Sequence, residues 1–144
     1  MTSDDPQTAL RVQQEIRLAE DDIVSAIQYA LDNKQHSPQT NQLEESQFRN
    51  LLRVSESTAS VEAVKNFLRY QVGRGGKNGA WGWGERSLAE QIVHDIDNLL
   101  CTKASEIANK TDPGWHNNIW LNLIRRYLGY GARHLKYRSV LKGK

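Results

Sequence analysis

Apolar side chains recur at steps of three or four along almost all of this 144-residue chain, and no stretch alternates apolar with polar residues as a half-buried strand would. Such a chain buries its apolar residues only by packing helix on helix, so the sequence predicts an all-α fold. At this length one domain is expected, able to withdraw roughly 70% of its unfolded surface from water without a disulfide or metal staple. The expectation is a single-domain bundle of about five helices.

Local signals place the helices. Asp5-Pro6 reads as an N-cap followed by proline at the first helical position, and Val12, Ile16, Ala19, Ile23, Ile27 and Ala30 continue the period, which predicts one long helix over 6–33. Residues 34–41 lack periodicity and read as a linker. A short helix over 44–54 carries Phe48, Leu51 and Leu52. Ser60 caps a third over 61–72 with Val61, Val64, Phe67 and Leu68. Six glycines in the twelve residues 73–84 predict a flexible loop. Ser87 with Glu90 forms a capping box for a fourth helix to about 109, carrying Leu88, Ile92, Val93, Ile96, Leu99 and Leu100. Asp112-Pro113 then opens a fifth to about 141.

Charge divides the chain in two. Residues 1–48 carry nine acidic and three basic side chains, whereas residues 49–144 carry eight acidic and sixteen basic ones, so the overall charge of +2 hides an acidic arm (1–41) and a basic helical core (42–144). The last 24 residues hold seven Lys or Arg and no acid, interleaved with Tyr127, Tyr130 and Tyr137. Clustered cations among aromatics are the footprint of a surface that meets a polyanion, most often nucleic acid.

On a helical wheel the fifth helix sets Trp120, Leu121, Leu123, Ile124, Tyr127, Leu128 and Leu135 on an apolar side. Arg125, Arg126, Arg133 and Lys136 lie opposite, around Gly129. A glycine there either lets a phosphate approach the helix backbone or, like Gly131, permits close helix packing or a bend. Arg49 with Arg53 and Lys65 with Arg69 add i, i+4 basic pairs on the second and third helices. The glycine loop adds Arg74, Lys77 and Arg86 beside Trp81 and Trp83. The two tryptophans either stack on bases or fold back as a lid, and one of each is expected. Arg49, Arg53, Lys65, Arg69, Arg74, Lys77, Trp81, Trp83, Arg125, Arg126, Arg133 and Lys136 are thus the candidate nucleic-acid contacts, predicted to form one continuous cationic wall.

Catalytic and membrane functions find little footing. Glu90, His94 and Asp97 stand at i, i+4 and i+7 and offer a metal or acid–base set, but charged residues at that spacing opposite an apolar stripe are the ordinary wet face of a helix. The chain has no HExxH, CxxC, Walker A or GxSxG motif. The sequence therefore predicts no enzyme, no cofactor and no metal. A lone Cys101 forms no internal disulfide, the amino-terminal residues lack an apolar core segment, and no run approaches the ~18 apolar residues of a membrane span, which together point to the cytoplasm.

The segments Gln47-Phe48-Arg49-Asn50-Leu51 and Ser60 to Arg74, ending in Tyr70-Gln71-Val72-Gly73-Arg74, resemble the small helical subunit of type III CRISPR-Cas effector complexes, and with the basic last helix the likeness spans about residues 43–141. The resemblance implies a non-catalytic RNA-binding protein in a ribonucleoprotein. Its partners would be guide RNA, target RNA, the larger effector subunits and copies of itself along a filament. Arg49, Arg69 and Arg74 carry the matching motifs. Charge polarity gives the acidic first helix, opposite in sign to the core, two places to pack: its own bundle, or the basic face of a neighbouring copy in a head-to-tail filament. Two other functions fit the composition: a DNA-binding regulator using the second and third helices as a helix-turn-helix, and a protein adaptor that does not bind nucleic acid.

Overall fold

The computed structural model describes residues 5–33, 43–76 and 79–143, and among these every regular element is helical. In order they are α1 (Pro6–Leu18), α2 (Glu20–Asp32), α3 (Glu45–Glu56), α4 (Val61–Gly75), α5 (Leu88–Asp95), a π-helical turn (Ile96–Leu100), α6 (Cys101–Lys110), a 3₁₀ turn (Pro113–Trp115) and α7 (His116–Gly143). Residues 34–41, expected as a linker, and Lys77 lie outside the described residues.

Most predicted caps form. Asp5 accepts from the Gln7 amide, Ser60 from Ala63, Ser87 from Glu90 and Asp112 from Gly114, each pairing an amide that a helix start leaves without an internal acceptor. An additional capping box, with Glu44 and Gln47 bonded reciprocally, opens α3.

Two boundaries differ from expectation. The long first helix is two: the Ala19 amide bonds back to the Ile16 carbonyl at 3.0 Å, tightening the turn, and α2 restarts with Glu20, Asp21 and Asp22 in its first turn, where the helix dipole favours carboxylates. The glycine loop is shorter than predicted, because α4 continues through Gly73 and Arg74 to Gly75. Beyond it Gly82 adopts φ +88°, and a Cβ there would stand 2.7 Å from the Ser87 Cβ, so this turn against the α5 cap accepts only glycine.

α7 is the spine. Its Ile119, Leu123, Ile124, Tyr127 and Leu128 are fully buried, and α3, α2 and α6 all pack on it. α3 runs antiparallel to it, since the Arg125 guanidinium reaches the Ser55 and Thr58 carbonyls while Phe48 lies against Gly131. α2 runs parallel, with Glu20 beside Arg126 and Asp32 beside His134. The two glycines of α7 part company here. A Cβ on Gly131 would stand 2.5 Å from Phe48 Cε1 and 3.0 Å from Ile27 Cγ1, so its bare backbone is what lets α2 and α3 close on the spine together; a Cβ on Gly129 would meet nothing within 4 Å. We therefore expect Gly131→Ala to lower stability by about 1–3 kcal/mol through overpacking. Gly129→Ala should raise it by up to about 1 kcal/mol through helix propensity. Paired denaturant titrations of the two variants check this.

One polar pair sits inside the core. Tyr127 Oη donates to Asp95 Oδ2 at 2.6 Å, and Gln91 Nε2 donates to the other oxygen at 3.1 Å. Burial pushes the Asp95 carboxyl above its ordinary 3.8, outweighing the opposing pull of these two hydrogen bonds and of His94. The folded state therefore holds the Asp95 proton more tightly than the unfolded state. Stability from this site is greatest in acid and falls as pH rises from about 3.8 through the raised value. Asp95→Asn keeps an acceptor for Tyr127 without ionising. Its stability relative to wild type should accordingly improve as pH is raised from about 4 to 7, read by melting temperature across that series.

Candidate nucleic-acid interface

The outward seam between α3 and α7 forms an open groove of about 390 Å³. Leu52 and Glu56 make its α3 wall, and Arg126, Gly129, Tyr130 and Arg133 make its α7 wall. Gly129 leaves the floor of that wall as bare backbone. Arg133, exposed, stands over the Tyr130 ring with its guanidinium carbon 5.5 Å from the centroid, a cation–π contact that holds the charge at the rim. Burial and a hydrogen bond to Glu20 hold the Tyr130 phenol above its ordinary value, so it remains a protonated donor. Exposed Arg49 and Arg53 lie on the outer face of α3, and exposed Lys136 follows Arg133 on α7.

Much of the predicted cationic wall is engaged with its own chain. Arg125 is structural: its Nε and Nη2 donate to the Ser55 and Thr58 carbonyls at 2.8 and 3.2 Å, filling acceptors at the end of α3 that lack helical donors. Arg126 is shared between Glu20 at 3.3 Å, Gln13 and Asn122. Lys65 is a correction. It is 7% exposed, and its ammonium is clamped by Asp97 at 2.8 Å and Glu62 at 2.9 Å, because its place on α4 points at the π-helical turn instead of solvent. Burial alone would lower the Lys65 pKa, and the two carboxylates raise it overall.

Trp81 is likewise withdrawn from any stacking role. At 3% exposure it packs on Phe48, ring centroids 5.4 Å apart, and its carbonyl accepts from the Ala89 amide, so it is the predicted lid and Trp83, 52% exposed, is the outward-facing member. The expectation that one tryptophan folds inward and the other does not is met. The described residues 79–84 are correspondingly pinned to the bundle.

Arg69 and Arg74 face elsewhere. Arg74 sits 5.9 Å above Tyr70 on the exposed side of α4, and Arg69 lines a separate cleft with Arg86, Glu90, His94 and Asp97. The cations thus occupy at least two distinct surfaces that share no lining residue. That second cleft gathers the Glu90, His94 and Asp97 singled out in the sequence, but Lys65 occupies Asp97 and Arg69 approaches Glu90 at 3.9 Å. Among the described residues no group of three His, Cys, Asp or Glu is placed to hold a metal ion.

The acidic arm folds onto its own basic core. Glu20 meets Arg126 and Tyr130, Asp22 meets Lys103 at 2.8 Å, Glu15 meets Lys110 at 3.5 Å, and Asp32 meets His134 at 2.9 Å and Arg138 at 3.6 Å. The opposite signs that suggested packing on a neighbouring copy are therefore satisfied within one chain. Sequence reasoning missed these pairings because helical periodicity gives each helix a face but not a neighbour. No helix among the described residues is long and apolar enough to cross a membrane.

No protein-family model, curated protein or solved structure matches the chain.

The clamp on Lys65 separates structural from binding cations by experiment. Lys65→Met leaves two solvent-accessible carboxylates without their cation and should cost about 1–2 kcal/mol of stability while leaving nucleic-acid affinity within about twofold at temperatures where the variant is folded. Urea unfolding and filter binding on the same preparation test both halves.

Proposed function

We propose that this chain is a non-catalytic RNA-binding protein that holds a single-stranded backbone in the α3–α7 groove, serving as the small subunit of a type III CRISPR-Cas ribonucleoprotein. The observation that carries the binding reading is exposed Arg133 lining a groove floored by the bare Gly129 backbone, with exposed Lys136 on the same helix and exposed Arg49 and Arg53 on the α3 helix that forms the other wall. Phosphates require cations on a surface they can approach closely, and a protein that accepts any guide sequence needs backbone contacts more than base-edge readers. Arg49 already bonds Glu45 at 2.6 Å, an exposed i, i+4 pair whose net contribution is small enough to exchange for a phosphate. The assignment to a CRISPR effector is supported by the resemblance of the segments from Gln47 to Leu51 and from Ser60 to Arg74.

A second reading, a protein adaptor, is favoured by one observation: so much of the basic core is neutralised by the acidic arm that fewer cations reach the surface than the sequence promised. Salt dependence separates the two. RNA binding through the groove predicts that log affinity falls with log salt at about 0.7 per phosphate contact. Arg133→Gln should weaken binding roughly tenfold and reduce that slope by about 0.7. A flat salt response in the wild-type protein, or an Arg133→Gln variant that binds RNA as wild type does, would sink the groove reading and leave the adaptor.

A further inference from the structure

The cleft between α4, α5 and the end of α2 is the larger of the two, about 610 Å³, within the range of small-molecule sites. It is lined almost wholly by polar side chains. Arg69 projects from α4, Glu85 and Arg86 from the loop before α5, Glu90 and His94 from α5, and Asn98 from the π-helical turn. The geometry points to a second binding site here, distinct from the RNA groove, for a small ligand bearing a phosphate monoester together with hydrogen-bond donors, the chemistry of a nucleoside monophosphate.

The walls explain that choice. Arg69 is about half exposed, and its ion pair among the described residues, to Glu90, is long at 3.9 Å, so its guanidinium offers a ligand the planar fork of N–H donors that matches phosphate oxygens. Arg86 lines the same cleft with a second guanidinium, and the His94 imidazole adds a hydrogen-bonding ring nitrogen. The carboxylates facing it are unequal. Asp97 is already neutralised, because buried Lys65 donates to it at 2.8 Å from behind, whereas Glu85 and Glu90 present acceptors to the cavity. Inorganic phosphate would meet the repulsion of those two carboxylates with only its own P–OH groups to offer them. A ligand with hydroxyl or amino donors beside its phosphate engages both signs at once.

The π-helical turn shapes the floor. Its wider winding interrupts the α5–α6 helix at the cleft, with the Trp120 indole bonding the Ile96 carbonyl at 2.9 Å from the core side and the Asn98 amide bonding the His94 carbonyl at 2.9 Å. A one-residue widening of this kind is characteristic of functional positions in helices. Here it carries Asp97 onto Lys65 and Asn98 to the cavity wall, so the polar lining is braced by the core instead of resting on a loop.

Calorimetric titration of the full chain with adenosine monophosphate tests the site, with adenosine and inorganic phosphate as separate arms. Saturable one-to-one binding is expected, with each of the two fragments at least tenfold weaker. Arg69→Gln should weaken it about ten- to a hundredfold at unchanged melting temperature, the loss of one charge-assisted pair. Arg133→Gln should leave it unchanged while weakening RNA, so that a failure here and a failure of the groove are told apart. A 5′-phosphorylated against a 5′-hydroxyl oligoribonucleotide distinguishes a strand end from a free nucleotide as the source of the monoester: an Arg69-dependent preference for the phosphorylated end assigns the former, and no preference assigns the latter. Absence of saturable nucleotide binding overturns the proposal. So does equal affinity in Arg69→Gln, or a loss in Arg133→Gln as large as that in Arg69→Gln.

Discussion

Everything in this bundle is arranged around one close crossing. At Gly131 the backbone of α7 meets Ile27 of α2 on one side and Phe48 of α3 on the other, at distances no side chain would permit. The interlock brings two helices against the spine at one level and fixes the register of both. Because α3 is antiparallel and α2 parallel to α7, that single register places the Ser55 and Thr58 carbonyls at Arg125, Glu20 at Arg126 and Asp32 at His134. The polar contacts are consequences of the crossing. Their individual energies are small at partly exposed positions, whereas fully burying each of Ile27, Phe48 and Leu128 contributes roughly 1.5–3 kcal/mol.

The same crossing decides what the charge asymmetry does. A chain with an acidic arm and a basic core has two uses for opposite signs, between molecules or within one, and the register of α2 on α7 selects the second. Within the basic stripe of α7, Arg126 faces α1 and α2 and is compensated there, and Arg125 is taken up by the carbonyls at the end of α3. Arg133 and Lys136 remain exposed. Net charge alone would have overestimated the polyanion-binding surface, since Lys65, Arg125 and Arg126 all count toward it and all are spent on internal contacts.

Helix class, most caps and nearly the whole core were legible in the sequence, because apolar period and capping chemistry are local properties. Val12, Ile16, Ile23 and Ile27 are buried as the period requires, even though the helix that carries them is broken at Ala19. The acidic triplet from Glu20 to Asp22 was a restart signal of the kind that opens helices, overridden in the reading by an unbroken apolar stripe. The site was much less legible. A wheel puts Lys65 on the same stripe as Arg69, and only the proximity of Asp97, thirty-two residues away, turns one inward and leaves the other out. Likewise the wheel sets Gly129 among the cations and Gly131 on the apolar side of α7, but only the arrival of Phe48 and Ile27 beside Gly131 shows that it is the one the packing needs bare.

Splitting the predicted wall in two changes what a strand on this surface would have to do. Arg133, Lys136, Arg49 and Arg53 flank the α3–α7 seam. Arg69 and Arg86 belong to a cleft beyond α4, and the exposed Trp83 follows α4 in the segment leading to that cleft. The groove and the cleft share no lining residue, so a backbone lying in the groove meets a different set of cations from those of the cleft. The groove is open and floored by backbone, suited to a polymer that passes through. The cleft is larger, bounded by both signs of charge and braced by buried Lys65, suited to a ligand that stops. Two surfaces of such different construction on one small bundle are more economically explained by two kinds of ligand than by one extended contact.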